Sequence, residues 1–179
     1  MDTISNSVTG QQLVFLQTGK TTNGRLLEME SHYGARSIEP APHYHPVQTE
    51  HFKVLEGEIR VRVRGEVFSL KKGEEILIYP GEVHSMWNPG DEKTIVNWKI
   101  EPALETEAFF RTVYGLARDG KTNEAGMPGL LQVALLADQY ANEFRLARPP
   151  YWVQQIVFGL LKPLARLKGL KAVYRQYLE

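Results

Sequence analysis

Two histidines and a glutamate lie close together in the segment PHYHPVQTEHFKVLEG, which runs from Pro42 to Gly57. On a β-strand, side chains two residues apart point the same way and lie about 6.5–7 Å apart, so His43 and His45 share a face. Two imidazoles at that spacing can converge on one metal ion, at about 2.1 Å from each nitrogen. Glu50 adds a carboxylate after His45. The segment is therefore a candidate metal site.

Strand alternation separates the remaining histidines of this region from the candidate site. The stretch TEHFKV places Glu50 and Phe52 on one face and His51 on the other. We therefore exclude His51. We also exclude His32, because it lies alone in a predicted turn, SHYG.

A further histidine follows a Pro-Gly turn in the segment PGEVHSMWN. The alternation groups His84 with Met86, and if both face the same interior as the first cluster, the set becomes three imidazoles and one carboxylate. The chain has no cysteine, so a thiolate site and a cysteine nucleophile are excluded. Nitrogen and oxygen donors without sulfur suit Fe(II), Mn(II), Ni(II), Cu(II) or Zn(II). Four protein ligands on an octahedral metal leave two positions for water, substrate or dioxygen.

The elements that must hold these side chains are short strands from about residue 11 to residue 100. EIRVRVRG alternates valines with arginines, and Gly65 then turns the chain into EVFSL, which predicts a hairpin. Many short strands separated by Gly, Pro and Asn indicate a sandwich or barrel. The outward arginines are interpreted as a solvated face rather than a nucleic-acid site, because Lys+Arg and Asp+Glu both number 21.

The pattern changes to helical spacing after Pro102. Three helical stretches are predicted, and the third is interrupted at Pro163 and Gly169. They are ALETEAFFRTVYGLARDG, PGLLQVALLADQYANEFRLARPP and YWVQQIVFGLLKPLARLKGLKAVYRQYLE. We predict a barrel domain over residues 1–102 and a helical extension over residues 103–179, packed on the barrel or on a partner subunit.

The last stretch is basic, with seven Lys or Arg residues against one acid from Phe144 onward. One interpretation is binding to a membrane surface or an acidic partner. The other is a packed helix with its basic face in water. We favour the second, because Trp152, Ile156 and Leu160 form an ordinary core stripe, and we therefore expect no membrane contact.

The rest of the composition predicts a cytoplasmic protein. The N-terminal residues show no basic segment followed by an apolar stretch, and the longest apolar run is too short to span a bilayer. We expect a small-molecule substrate or ligand, a homodimer and no nucleic-acid partner.

The spacing of both segments resembles the cupin superfamily, whose motifs are G-x5-H-x-H-x3-4-E-x6-G and G-x5-P-x-G-x2-H-x3-N. The residues in register with them are His43, His45, Glu50, Gly57, Gly73, Gly81, His84 and Asn88. Ser37 stands where the first motif has a glycine, and Tyr79 stands where the second has a proline. The chain is similar in this region to small bacterial single-domain cupins.

The resemblance implies a mainly β fold, a jelly-roll β-barrel followed here by a C-terminal α-helical extension. It also implies that His43, His45, Glu50 and His84 bind a divalent transition metal inside the barrel. Gly57, Gly73 and Gly81 fall at strand ends, where turns need positive φ. Cupins catalyse many reactions and some catalyse none, so the fold alone names no activity.

Two hypotheses of different class follow. The first is a metal-dependent, dioxygenase-like enzyme acting on a small organic substrate with adjacent oxygens, in which Glu50 takes a proton as is proposed for flavonol dioxygenases of this superfamily. Phe52, Met86 and Trp98 would wall its pocket, and Gln48 would hydrogen-bond to a ligand. The alternative is a non-catalytic metal- or small-molecule-binding module whose helices serve dimerisation or partner contact. We prefer the enzyme, because a purely structural barrel does not need a buried glutamate with three imidazoles.

Overall fold

The computed structural model describes residues 2–178, and over that range the chain forms two antiparallel β-sheets that face each other. The first sheet contains, in spatial order, β1 (Asp2–Ser5), β2 (Gln12–Gln17), β3 (Leu27–Tyr33), β10 (Thr94–Glu101), β5 (Thr49–Glu56) and β8 (Glu75–Ile78). The second contains β11 (Arg145–Leu146), β4 (His43–Tyr44), β9 (His84–Trp87), β6 (Glu58–Val63) and β7 (Glu66–Lys71). The predicted jelly-roll barrel is confirmed.

The core lies between the sheets because several strands alternate between buried and outward positions, with apolar side chains at most of the buried ones. On β10, Val96, Trp98 and Ile100 are buried while the residues between them are only partly covered. The hairpin of β6 and β7 buries Ile59, Val61 and Leu70 in the same way. The arginines of β6 face outward, as predicted. Burial of these apolar side chains is the main term that stabilises the barrel.

Gly57 illustrates why one strand end requires glycine. It has φ of 78°, which side chains rarely tolerate. A Cβ atom there would also lie 2.8 Å from Oγ1 of Thr94. Gly73 and Gly81 likewise have positive φ, so the prediction for the three glycines is confirmed.

The chain after β10 forms helices α1 (Thr106–Arg118), α2 (Leu130–Gln139) and α3 (Tyr151–Leu167) and a 3-10 turn (Arg175–Tyr177). A second apolar cluster joins α1, α2 and the 3-10 turn, and it is formed by Leu116, Leu136, Tyr140, Tyr174 and Tyr177. The extension is tied to the barrel through β11, which pairs with β4. The division at residue 102 stays a prediction, although the extension adds a strand to a barrel sheet.

The prediction that the second helical stretch continues to Pro149 is wrong. Helix α2 ends at Gln139, and the chain then turns into β11. Leu146 of β11 lies opposite His43, and the Ala147 N–H donates to the Pro42 carbonyl at 2.9 Å. These bonds pair the backbone groups at the open edge of β4. The helical spacing of the sequence gives no sign of this pairing.

The predicted core stripe on α3 is also wrong. Trp152, Ile156 and Leu160 are 67%, 57% and 76% exposed, and Phe158 faces inward instead. Helix α3 continues through Pro163 and ends at Leu167, shortly before Gly169 at φ of 74°. In the part of the chain that the structure describes, no helix combines the length and the apolar composition needed to cross a membrane.

Candidate metal centre

The barrel interior brings three imidazoles together. His43 on β4 lies directly opposite His84 on β9 in the antiparallel pairing, and their ring centroids are 4.5 Å apart. His45, just after β4, is buried with its ring centroid 5.2 Å from that of His43. One nitrogen of each ring lies within 4.8 Å of the others. The predicted convergence of these histidines is therefore present in the structure.

Glu50 approaches the same cluster from the opposite sheet. It lies on β5, is fully buried, and places Oε2 at 2.8 Å from His84 Nε2 and 3.2 Å from His45 Nε2. His51, the next residue, points to the outer surface and contacts Glu75. His32 contacts Glu30 instead. Strand alternation therefore assigns Glu50 and His51 to the correct faces. The predicted turn at His32 is wrong, because His32 lies on β3.

Backbone carbonyls hold the other nitrogen of each clustered histidine. Nδ1 of His43 contacts the Ala41 carbonyl at 3.2 Å, and Nδ1 of His84 contacts the Glu82 carbonyl at 2.9 Å. Nδ1 of His45 bonds to the carbonyl of Glu143, a residue of the extension. A carbonyl only accepts, so each Nδ1 carries a proton, and Nε2 is the nitrogen of each ring that is left to bind a metal. This arrangement is typical of histidines that bind a metal.

Two buried polar atoms in the cluster lack a hydrogen bond among the described residues. They are His45 Nε2 and Glu50 Oε2, which lie near each other without hydrogen-bond geometry. An unpaired carboxylate oxygen in a barrel interior costs stability unless a cation or donor meets it. Among the described residues, the three imidazoles have the spacing of a shared metal site, and the Glu50 carboxylate lies beside two of them. Nitrogen and oxygen donors of this kind suit a divalent cation.

The charges of the cluster are strongly coupled. Burial alone would raise the pKa of Glu50, but His45 and His84 outweigh that effect and hold it below its ordinary value. Burial, together with the two neighbouring imidazoles, lowers the pKa of His43 well below its ordinary value. Burial opposes protonation of His45 too, yet Glu50 leaves its pKa raised. The cluster therefore contains one ionised carboxylate, Glu50, which stabilises a positive charge on a neighbouring group.

Two further side chains orient these groups. Trp98 Nε1–H donates to Glu50 Oε1 at 3.0 Å, a bond that sequence reasoning missed because it treated Trp98 only as pocket wall. Gln48 Oε1 lies 3.3 Å from His45 Nδ1, and its amide donates to Thr106 Oγ1 at 2.8 Å. The prediction that Gln48 contacts a clustered histidine is confirmed.

A cavity of about 180 Å³ opens above the histidines. Phe52, Met86 and Trp98 line it, as predicted. The extension supplies the remaining aromatic wall, in which successive rings contact one another. Their order is Phe52, Trp98, Phe110, Phe109, Phe144 and His43, with centroid separations of 4.8–5.6 Å.

Sequence reasoning missed the part of the cavity that the extension builds. Phe109 carried a signal only as a helix stripe, and Phe144 was placed on a helix that the structure ends earlier. No sequence signal identifies the Glu143 carbonyl, because every residue has a backbone carbonyl whatever its side chain.

Comparison with known proteins supports the fold. Residues 28–98 match the family model described as Cupin domain. Two solved structures of TM-score 0.50 show the same fold: a predicted oxalate decarboxylase from Thermotoga maritima and a sugar phosphate isomerase from Silicibacter pomeroyi. The first is 22% identical and covers 56% of this chain and 90% of its own. The second is 15% identical and covers 56% and 71%.

Curated relatives reach further along the chain. A probable oxidoreductase, virH, from Hypocrea virens is 29% identical over 177 residues, which is 88% of this chain and 79% of that protein. An oxidoreductase from Arthrobotrys oligospora is 29% identical over 69% of this chain, and this chain spans only 52% of its length. The tetracenomycin polyketide synthase protein TcmJ from Streptomyces glaucescens is 34% identical over 44% of this chain and 60% of its own.

Proposed function

Because the barrel of this chain is a cupin domain, we propose that the protein is a metal-dependent oxidoreductase of the dioxygenase type that acts on a small apolar molecule. The observation that carries the proposal is the convergence of three imidazoles beneath an aromatic cavity, with a fully buried carboxylate beside two of them. The names of two relatives, an oxidoreductase and a probable oxidoreductase, support the reaction class.

His43, His45, His84 and Glu50 are the residues that would hold the metal. A divalent ion held there would supply a Lewis acid and a template for orienting substrate and dioxygen. The Ala41, Glu82 and Glu143 carbonyls keep the three imidazoles in the required tautomer and orientation. Trp98 holds the Glu50 carboxylate. These contacts therefore orient the four donor side chains independently of a bound metal or substrate.

The cavity determines what can approach the donors. Its aromatic walls exclude water and favour a flat, apolar substrate, whose adjacent oxygens would face the histidines. Tyr33 also lines the cavity and keeps its proton at neutral pH, because burial raises its pKa to about 12. Its hydroxyl can thus donate a hydrogen bond to a substrate oxygen.

Glu50 is the proposed proton acceptor, as the resemblance implies. Its pKa lies below the ordinary value, so it is ionised at neutral pH. In the structure it is fully buried behind the imidazoles, and the cavity-lining residues do not include it. Accepting a substrate proton therefore requires its carboxylate to swing toward the cavity.

Metal analysis tests the proposed ligands. Protein purified without added metal or an affinity tag is expected to hold close to one transition-metal ion per chain, and His45→Ala is expected to lose most of it. His51→Ala is the matched control, because it removes an imidazole from the outer face of β5, next to Glu50 in the sequence. Equal metal content in the two variants would contradict the assignment.

Oxygen consumption tests the reaction. The anaerobically purified, metal-containing protein is screened against enols and catechol-like compounds, and products are analysed by mass after reaction under isotopically labelled oxygen gas. Incorporation of both oxygen atoms into product is expected. If compounds bind at the metal and no oxygen is consumed for any of them, the non-catalytic binding module replaces the enzyme.

A further inference from the structure

Helix α3 carries an apolar face that the rest of the described chain does not cover. At about 100° per residue, its five most outward apolar side chains fall within an arc of about 120°. They are Trp152, Ile156, Leu160, Leu164 and Leu167, with exposed fractions of 67%, 57%, 76%, 47% and 85%. Isolated exposed apolar residues are ordinary on a protein surface, but a contiguous stripe of this kind marks an interaction site.

The apolar surface continues beyond α3. A groove between α2 and α3 is lined by Val133, Val157 and Phe158, and Leu130 at its edge is 60% exposed. The opposite side of α3 packs inward through Gln154, Phe158 and Ala165. The helix is therefore anchored on the protein by one face and presents the other outward.

Basic residues border this face. On a helical projection Arg166 and Lys162 flank one edge of the arc and Lys168 follows the other. Lys162 is paired with Asp138, whereas Arg166 and Lys168 are exposed. Residues 144–178 contain seven Lys or Arg and no acid. An apolar face bordered by the exposed positive charges of Arg166 and Lys168 complements a surface that offers both hydrocarbon and negative charge.

We propose that α3 binds in the plane of an anionic phospholipid surface, with its apolar face inserted among the acyl chains and its basic border on the headgroups. A basic amphipathic helix with an aromatic side chain on the apolar face binds membranes in this way. The proposal concerns a surface separate from the histidine cluster and stands independently of the reaction.

A second copy of the chain is the competing occupant, and charge argues against it. A two-fold contact through α3 places the same patch against itself, so the basic borders of both copies approach each other. No acid in residues 144–178 compensates them. Like charges brought together oppose association. The sequence favoured a packed helix with its basic face in water, because Trp152, Ile156 and Leu160 were interpreted as buried. The structure contradicts that premise, since all three side chains are exposed.

Vesicle binding by the full chain tests the proposal. The protein is expected to co-sediment with vesicles of phosphatidylcholine and phosphatidylserine far better than with phosphatidylcholine alone, and to lose binding at high salt. Fluorescence of Trp152 is expected to shift to shorter wavelength on binding. Leu160→Gln with Ile156→Gln, and separately Arg166→Gln with Lys168→Gln, should each weaken binding about tenfold or more.

Matched controls lie on the barrel. Leu77→Gln removes an exposed apolar side chain and Arg60→Gln an exposed basic one, and neither should change binding. Unchanged thermal unfolding of the α3 variants shows that they remain folded. Failure of the unmodified protein to bind the anionic vesicles overturns the proposal. So does a concentration-dependent increase in mass that Leu160→Gln with Ile156→Gln abolishes, because the face would then join two copies.

Discussion

The barrel and the helical extension build the same cavity by different means. The barrel provides polar side chains at positions that strand register makes precise, such as His43 opposite His84. The extension provides aromatic rings and one backbone carbonyl, that of Glu143, which bonds to His45. The polar side chains of the barrel produce a recognisable spacing in the sequence, whereas the rings and the carbonyl of the extension produce almost none. The difference predicts that the barrel controls stability and supplies the metal ligands, and that the aromatic rings of the extension control ligand fit.

The largest expected effect is on the barrel core. Phe52 is 2% exposed and stacks on Trp98 with 5.1 Å between centroids. Phe52→Ala leaves a cavity and is expected to lower the free energy of unfolding by about 3–5 kcal/mol. Urea denaturation measures it, with Phe68→Ala on β7 as control, because that ring is 39% exposed. Equal losses in the two variants would show that the interior between the sheets is not the stabilising core.

The next effect concerns the bond between Trp98 and Glu50. Trp98→Phe keeps an aromatic ring in the stack and removes the N–H that donates to Oε1. Outer partners of metal ligands typically contribute about 10–100-fold to metal affinity, so we expect a loss at the lower end of that range. Competition with a chelator of known affinity measures it.

Trp87→Phe is the control for that experiment. Trp87 also lies in the barrel, on β9, but its ring packs beneath Arg62, at 5.9 Å from the guanidinium, rather than against the cluster. The Trp87→Phe variant is expected to bind metal with the same affinity as the unmodified protein. A Trp98→Phe variant that behaves the same way would mean that Glu50 is held without the indole.

How far the sequence predicts each region follows from the same physical difference. Alternation along β5 separates Glu50 from His51 correctly, because one face of that strand is buried and the other faces solvent. The motif spacing also identifies both segments that reach the cluster. These features are local, since a few residues decide on which side of a strand a side chain lies.

The extension is less predictable because its structure depends on distant contacts. Residues 141–146 have helical spacing, yet pairing of β11 with β4 removes them from α2. The stripe of Trp152, Ile156 and Leu160 has the periodicity of a core face, but periodicity does not say what covers it. In both cases the deciding partner lies far away in the sequence or outside the chain.

The smallest expected effect separates ligand fit from metal binding. Phe144, on the extension, stacks near His43 at 4.8 Å and on Phe109 at 5.3 Å. Phe144→Ala is expected to leave metal content unchanged and to weaken binding of a catechol-type chelator, nitrocatechol, about three- to tenfold, because one aromatic contact is lost. The visible absorption of the bound chelator measures the affinity. Phe68→Ala again serves as control. If Phe144→Ala lost metal and chelator affinity together, the Phe144 ring itself would be needed for metal binding, and the contrast between the two regions would fail.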